Sequence, residues 1–138
     1  MFEKIIVPII FLTAQFVIAG YGYFTGKMPA QGNILGIAYD SVFARMLIVQ
    51  FKYVWILILL NFLYSIGFHL GFSVYKNFIV IATIWIASGP LAALVFNAIF
   101  VKEKLDPVLI AGIFCVTIGA IGVVAHKEIM QLLNNQKY

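Results

Sequence analysis

Four stretches of this chain, residues 5–24, 54–73, 78–101 and 108–125, contain no Lys, Arg, Asp or Glu. All nine Lys/Arg and all five Asp/Glu lie between or beyond them. A hydrocarbon core of about 30 Å is crossed by roughly 20 helical residues. Inside it a spanning backbone must satisfy its own hydrogen bonds. Each stretch is therefore expected to be a transmembrane helix, the last only just long enough. Composition agrees: 64% hydrophobic residues, 10% charged residues and a mean hydropathy of +1.06 lie far from a soluble domain, in which roughly half the residues are apolar. The expectation is an all-α, multi-pass protein of the cell membrane, with 1–138 forming one transmembrane domain. The first stretch is as long as a span and lacks a small-residue cleavage site, so it reads as a helix and not as a signal peptide.

A net charge of +4 and a pI near 9.3 would suggest nucleic acid as a partner of a soluble protein. Here the basic residues are scattered over short loops beside spans, so anionic lipid head groups of the bilayer are the expected partner and nucleic acid is not. The single cysteine, Cys115, lies inside a span and has no partner for an internal disulfide.

The first span opens near Pro8, read as lying in its first turn, and carries Thr13 and Gln15 at its centre. An amide at that depth needs a protein or ligand partner, either a helix-to-helix hydrogen bond or a ligand-facing role. The span ends in Gly20-Tyr21-Gly22-Tyr23-Phe24, an aromatic belt at interface depth. Gly26, Pro29 and Gly32 then break helix. Segment 33–52 mixes apolar residues with Asp40, Ser41, Arg45 and Lys52. It reads either as a helix lying in the interface or as an extension of the second span beyond the bilayer. Asp40 and Arg45 are five apart, a poor spacing for an intrahelical pair, and no catalytic role is expected of them.

In the second span Asn61, Tyr64, Ser65 and His69 recur at spacings of three and four. They share one helical face, which should look toward protein or a water-filled cavity. His69, near the span end, is either an interfacial histidine or a proton-handling site. The four-residue turn 74–77 makes the second and third spans antiparallel neighbours. Gly89-Pro90 in the third span predicts a kink or hinge, because proline removes a backbone hydrogen bond. In the fourth span Gly112, Cys115, Gly119 and Gly122 form one seam of small residues, suited to internal packing or to dimerisation.

The chain has no paired carboxylate, metal cluster, nucleophile with base or phosphate-binding glycine loop, so no enzyme activity, metal or cofactor is expected. The hairpin 78–125 does resemble a known family. Thr83-Ile84-Trp85, Ala87-Ser88-Gly89, the loop Lys104-Leu105-Asp106, and Gly112 with Gly119 look like the second half of a small multidrug resistance transporter, in the drug/metabolite transporter superfamily. The first half resembles it through Ala14-Gln15, a glycine-containing span end and Lys27, with a longer first connection than is usual there. The resemblance implies that Trp85 lines a substrate cavity and that the Gly112–Gly119 helix forms a dimer seam. It departs at two points: Gln15 stands in place of the family's first-span glutamate, and Ala82 in place of a third-span tyrosine. An amide cannot titrate, so proton-coupled export through that glutamate is not expected. Superfamily subunits that lack the glutamate resemble flippases for lipid-linked aminosugars, which points to an amphipathic or lipid-linked substrate.

An even number of spans places both termini on one side, with Lys4, Lys76, Lys127 and Lys137. The other side holds Lys27, Arg45, Lys52, Lys102 and Lys104. Four against five gives no orientation bias, as expected of an antiparallel homodimer. The expected function is dimeric transport by alternating access. Gln15, Asn61, Tyr64, Ser65 and Trp85 would line the path and Gly89-Pro90 would bend. The alternative is a non-transporting membrane subunit.

Overall fold

A computed structural model describes residues 2–29, 31–34 and 36–135. Lys137, counted above among the basic residues, lies outside them. The elements in order are α1 (Phe2–Gly26), β1 (Gly32–Ile34), β2 (Ile37–Tyr39), α2 (Val42–Lys52), α3 (Val54–Tyr75), α4 (Phe78–Phe96), α5 (Pro107–Val124) and α6 (His126–Asn135). A π-helical turn, Asn97–Val101, extends α4. The four helices long and apolar enough to cross a membrane are Glu3–Gly26, Val54–Tyr75, Phe78–Val101 and Pro107–Val124. They fall within two residues of the stretches free of charge.

Local chemistry sets the helix starts. The side chains of Asn77 and Asp106 accept hydrogen bonds from the backbone N–H of Ile79 and Val108 at 2.9 and 2.8 Å, and Pro107 follows Asp106 where a missing N–H is harmless. The loop residue Asp106 is thus the N-cap of α5. Lys76 and Lys102 end their helices in the left-handed conformation.

Helix α1 is the centre of the bundle and packs along both α4 and α3, while α5 packs mainly on α4. Val7, Phe11 and Ala14 of α1 are fully buried. The main core joins Val7 and Phe11 to Val80, Ile81 and Ile84 of α4, with Tyr64, Phe68 and Tyr75 of α3 packed around them. Close approach depends on small residues. A Cβ on Gly67 would fall 2.9 Å from the Phe11 ring, and one on Gly71 would fall 3.0 Å from Ile81.

Two expectations are corrected in this part of the chain. Pro8 is inside α1, beyond its first turn. Its missing N–H therefore deprives the carbonyl of Lys4, four residues earlier, of a helical partner. The Tyr75 hydroxyl donates to that carbonyl at 2.8 Å and fastens the start of α1 to the end of α3. Segment 33–52 is not one helix: β1 and β2 form an antiparallel hairpin with Gly32 opposite Tyr39 and Ile34 opposite Ile37, and helix begins only at Val42.

The structure makes α2 a separate helix, because the backbone breaks at Tyr53 before α3. Ser41 caps it through its hydroxyl, and Val49 packs with Ile34 and Tyr39 of the hairpin. Arg45 donates to the carbonyls of Met28 and Pro29, which tethers α2 to the end of α1. Phe43, Met46, Leu47 and Phe51 form an exposed apolar stripe of the kind that rests in a membrane interface. Helix α6, at the other end of the bundle, was not anticipated. It carries a similar exposed stripe of Ile129, Met130 and Leu133.

The Lys4–Tyr75 bond predicts a conditional effect. Tyr75→Phe costs about 1 kcal/mol of stability and costs little in a Pro8→Ala background, where the helix satisfies the Lys4 carbonyl itself; a double-mutant cycle of thermal unfolding in detergent checks this. In the same assay Gly67→Ala costs roughly 1–3 kcal/mol by overpacking Phe11. Gly119→Ala, with nothing within 4 Å of the new methyl, leaves the monomer unchanged.

Candidate functional site

In a membrane helix a hydroxyl is satisfied at little cost by the carbonyl one turn back. Thr13, Thr83, Ser88 and Thr117 all do this, donating to Ile9, Ile79, Ile84 and Ile113 at 2.7–2.9 Å. An amide has no such local solution. Among the described residues Gln15 and Asn61 make no hydrogen bond, although both sit well inside their spans. They are the two amides at membrane depth still available to a partner; the Ser65 hydroxyl and His69, on the same face of α3 as Asn61, make no hydrogen bond among the described residues either.

Gln15 is placed by the seam that buries Val7, Phe11 and Ala14. One residue beyond Ala14, it is half-buried and lies against α4 at Gly89. A Cβ on Gly89 would be 3.6 Å from the amide oxygen, an ordinary contact. Trp85 lies one turn back along α4, about 6 Å at 1.5 Å per residue. Its indole meets Tyr64 edge-on at 6.2 Å between centroids and Phe68 at 5.9 Å. Phe11 continues the group, 5.2 Å from Phe68 and 6.5 Å from Tyr64. Trp85 keeps 37% of its surface exposed, so this aromatic wall has an open face.

Of the five residues expected to line a path, the structure puts Tyr64 and Trp85 in ring contact and sets Gln15 against Gly89, one turn along α4 from Trp85. Asn61 and Ser65 are not enclosed with them. They flank Tyr64 on α3 and are exposed, as is His69 one turn further. Polar side chains on a lipid-facing surface would be unsatisfied at this depth. The Asn61–Ser65–His69 face thus calls for water or another protein surface. Gly89 and Pro90 are half-buried in a helix that stays continuous through Phe96, with the Ile86 carbonyl deprived of its Pro90 partner.

The small-residue seam of α5 is not used inside this chain. Gly112, Gly119 and Gly122 have nothing within 4 Å of an added Cβ, and Cys115 is exposed. With 3.6 residues per turn, this seam points away from Thr117, Ala120, Ile121 and Val124, which face α1 and α4.

Sequence reasoning missed Phe11 and Phe68. Their signal was spacing: Phe11 is four residues before Gln15, and Phe68 four after Tyr64. It also missed an aromatic group at the far end of α1. There Phe96 packs on Phe16, Tyr23 and Phe100 at 5.5, 5.6 and 5.0 Å, close over Gly20. Nearby, Lys27 donates to the Tyr23 hydroxyl and sits over the same ring, and that hydrogen bond holds its pKa above the usual lysine value. No cluster of His, Cys, Asp or Glu fit to hold a metal ion occurs among the described residues.

Comparison with protein-family models, with curated proteins and with solved structures finds no match.

The free amide of Gln15 gives a direct test of its structural role. Gln15→Leu changes stability by less than about 0.5 kcal/mol or stabilises, since no intramolecular hydrogen bond is lost. A loss above about 2 kcal/mol in thermal unfolding would show that the amide is instead a helix-to-helix link.

Proposed function

We propose that this chain is a half-transporter of the cell membrane, resembling the drug/metabolite type, that moves an amphipathic small molecule by alternating access as a dimer. The observation that carries this reading is the open half-site. Gln15 lies over Gly89, one turn from a partly exposed Trp85 that is walled by Tyr64 and Phe68. An aromatic wall with one unsatisfied amide suits a flat or amphipathic solute, with apolar contact area and one hydrogen bond for orientation.

Two further features support a second subunit. The half-site opens outward and not into the monomer. The exposed Asn61–Ser65–His69 face and the unused α5 glycine seam are surfaces that lipid covers poorly or allows to pack closely. In this reading Gly89-Pro90 lets α4 bend beside the substrate, because the Ile86 carbonyl already lacks its helical bond. Gln15 orients the solute and does not exchange a proton.

Purified protein in liposomes tests this with two probes, a fluorescent headgroup-labelled lipid and the cation ethidium. Saturable movement of either is expected, with Trp85→Ala and Gln15→Leu each slowing it by roughly tenfold, the equivalent of about 1.4 kcal/mol. No movement of any solute in a broad panel favours a non-transporting membrane subunit instead. Native mass spectrometry that finds only monomer refutes the dimer. If His69→Gln leaves the pH dependence of transport unchanged, His69 is not a coupling site.

A further inference from the structure

Two adjoining cavities lie away from the Trp85 half-site, where α1, α4 and α5 meet. The first, of about 500 Å³, opens at the end of the bundle that holds the start of α1, the α3–α4 turn and the α5–α6 junction. Its polar rim is Lys4, Tyr75, Asn77, His126 and Lys127, and no carboxylate lines it among the described residues. The second, of about 260 Å³, runs along the side of the bundle over the buried small residues Ala87 and Ser88. Apart from the hydroxyls of Ser88 and Thr117, both already bonded to their own helices, its walls are apolar. Pro8, Val124 and Ala125 line both cavities, so they form one cleft with a basic mouth and an apolar trough.

The fold builds this gradient. Helix α5 buries no residue and packs mainly on α4, touching the α1 core only near its end through Val123 and Val124, and the trough is the space left between α5 and α1. The mouth is held by the Tyr75 hydrogen bond to the Lys4 carbonyl. The His126 ring is fixed as well: its Nδ1 lies 2.7 Å from the Val123 carbonyl. A carbonyl accepts only, so Nδ1 carries a proton, and Nε2 faces an anion as a donor in the imidazolium form.

We infer that this cleft is a binding site for a glycerophospholipid with a negatively charged headgroup, its phosphate at the Lys4–His126–Lys127 mouth and an acyl chain in the trough between α1 and α5. The assignment rests on charge and depth. Lys4 sits in the first turn of its span and Lys127 just beyond the end of the last, at headgroup level, where basic residues attract anionic lipid. The trough begins at that level and descends beside the span, where an acyl chain replaces lipid contacts that α1 and α5 do not give each other. A free anion would fill only the mouth, and a zwitterionic lipid would forgo the charge complementarity. The site stands independently of whether the half-site moves a solute.

Native mass spectrometry of the full chain with chain-matched phosphatidylglycerol and phosphatidylcholine tests it, with inorganic phosphate as competitor. Phosphatidylglycerol is expected to be retained about tenfold more tightly than phosphatidylcholine. The double variant Lys127→Gln/His126→Gln should abolish that preference, and Ala120→Phe, which fills the trough, should release both lipids. Ile118→Phe, on the outer face of α5, should change neither. Should Ala120→Phe fail to fold, Thr117→Phe replaces it. Equal retention of the two lipids, displacement by millimolar phosphate, or a trough-filled variant that still holds lipid would each overturn the assignment.

Discussion

The close approach of α1 to α3 at Phe11 and Gly67 is the contact on which the rest of the bundle depends. Lipid tails are as apolar as leucine, so helices in a bilayer gain little from hydrophobic burial against each other and associate through tight packing. Gly67 lets the Phe11 ring approach to a distance that no Cβ would permit. Phe11 then fills the gap between α1, α3 and α4 as a fully buried side chain. Once that stripe is fixed, Gln15, four residues on, has one place to go, against Gly89. The half-site is a by-product of the core.

The same physics sorts the polar groups. The hydroxyls of Thr13, Thr83, Ser88 and Thr117 return to their own helices and leave no mark on the packing. Proline does the opposite, because it frees a carbonyl that must be satisfied from elsewhere. Pro8 frees the Lys4 carbonyl and Tyr75 takes it, across a sequence separation of 71. A helix defect in α1 has thereby become the fastening between the first and second spans. Pro90 frees the Ile86 carbonyl without such a fastening, which sets the middle of α4 apart as the more deformable part of the bundle.

The two ends of the bundle are finished differently. At one end the hairpin and α2 form a small cluster around Ile34, Tyr39 and Val49, tied to α1 by Arg45. At the other, the α5–α6 junction leaves a basic mouth open. Each end presents an amphipathic helix with an exposed apolar stripe, and both stripes suit the plane of a membrane interface. Arg45, which invites a functional reading as a charge beside a membrane, is occupied with backbone carbonyls.

The four helices long and apolar enough to cross a membrane, and their limits to within two residues, were legible in the sequence. Hydrocarbon penalises charge residue by residue, and that penalty is written in composition. The caps of Asn77 and Asp106, which act within two residues of themselves, were a local signal that the reading of the sequence passed over. The pairing of Gln15 with Gly89, the ring contacts of Trp85, the outward turn of Asn61 and Ser65, and the Tyr75 bond to Lys4 depend on how each helix is rotated against its neighbours. Periodicity ranks faces but does not say which neighbour a face meets, and in nearly uniform apolar helices it gives little guidance. The hairpin was missed because segment 33–52 pairs its strands through a tight turn at Gly36, a glycine with positive φ, among residues whose mixed pattern reads equally as helix. Composition decided what this chain must cross; only the packing of α1 between α3 and α4 decided which of its polar groups remain open.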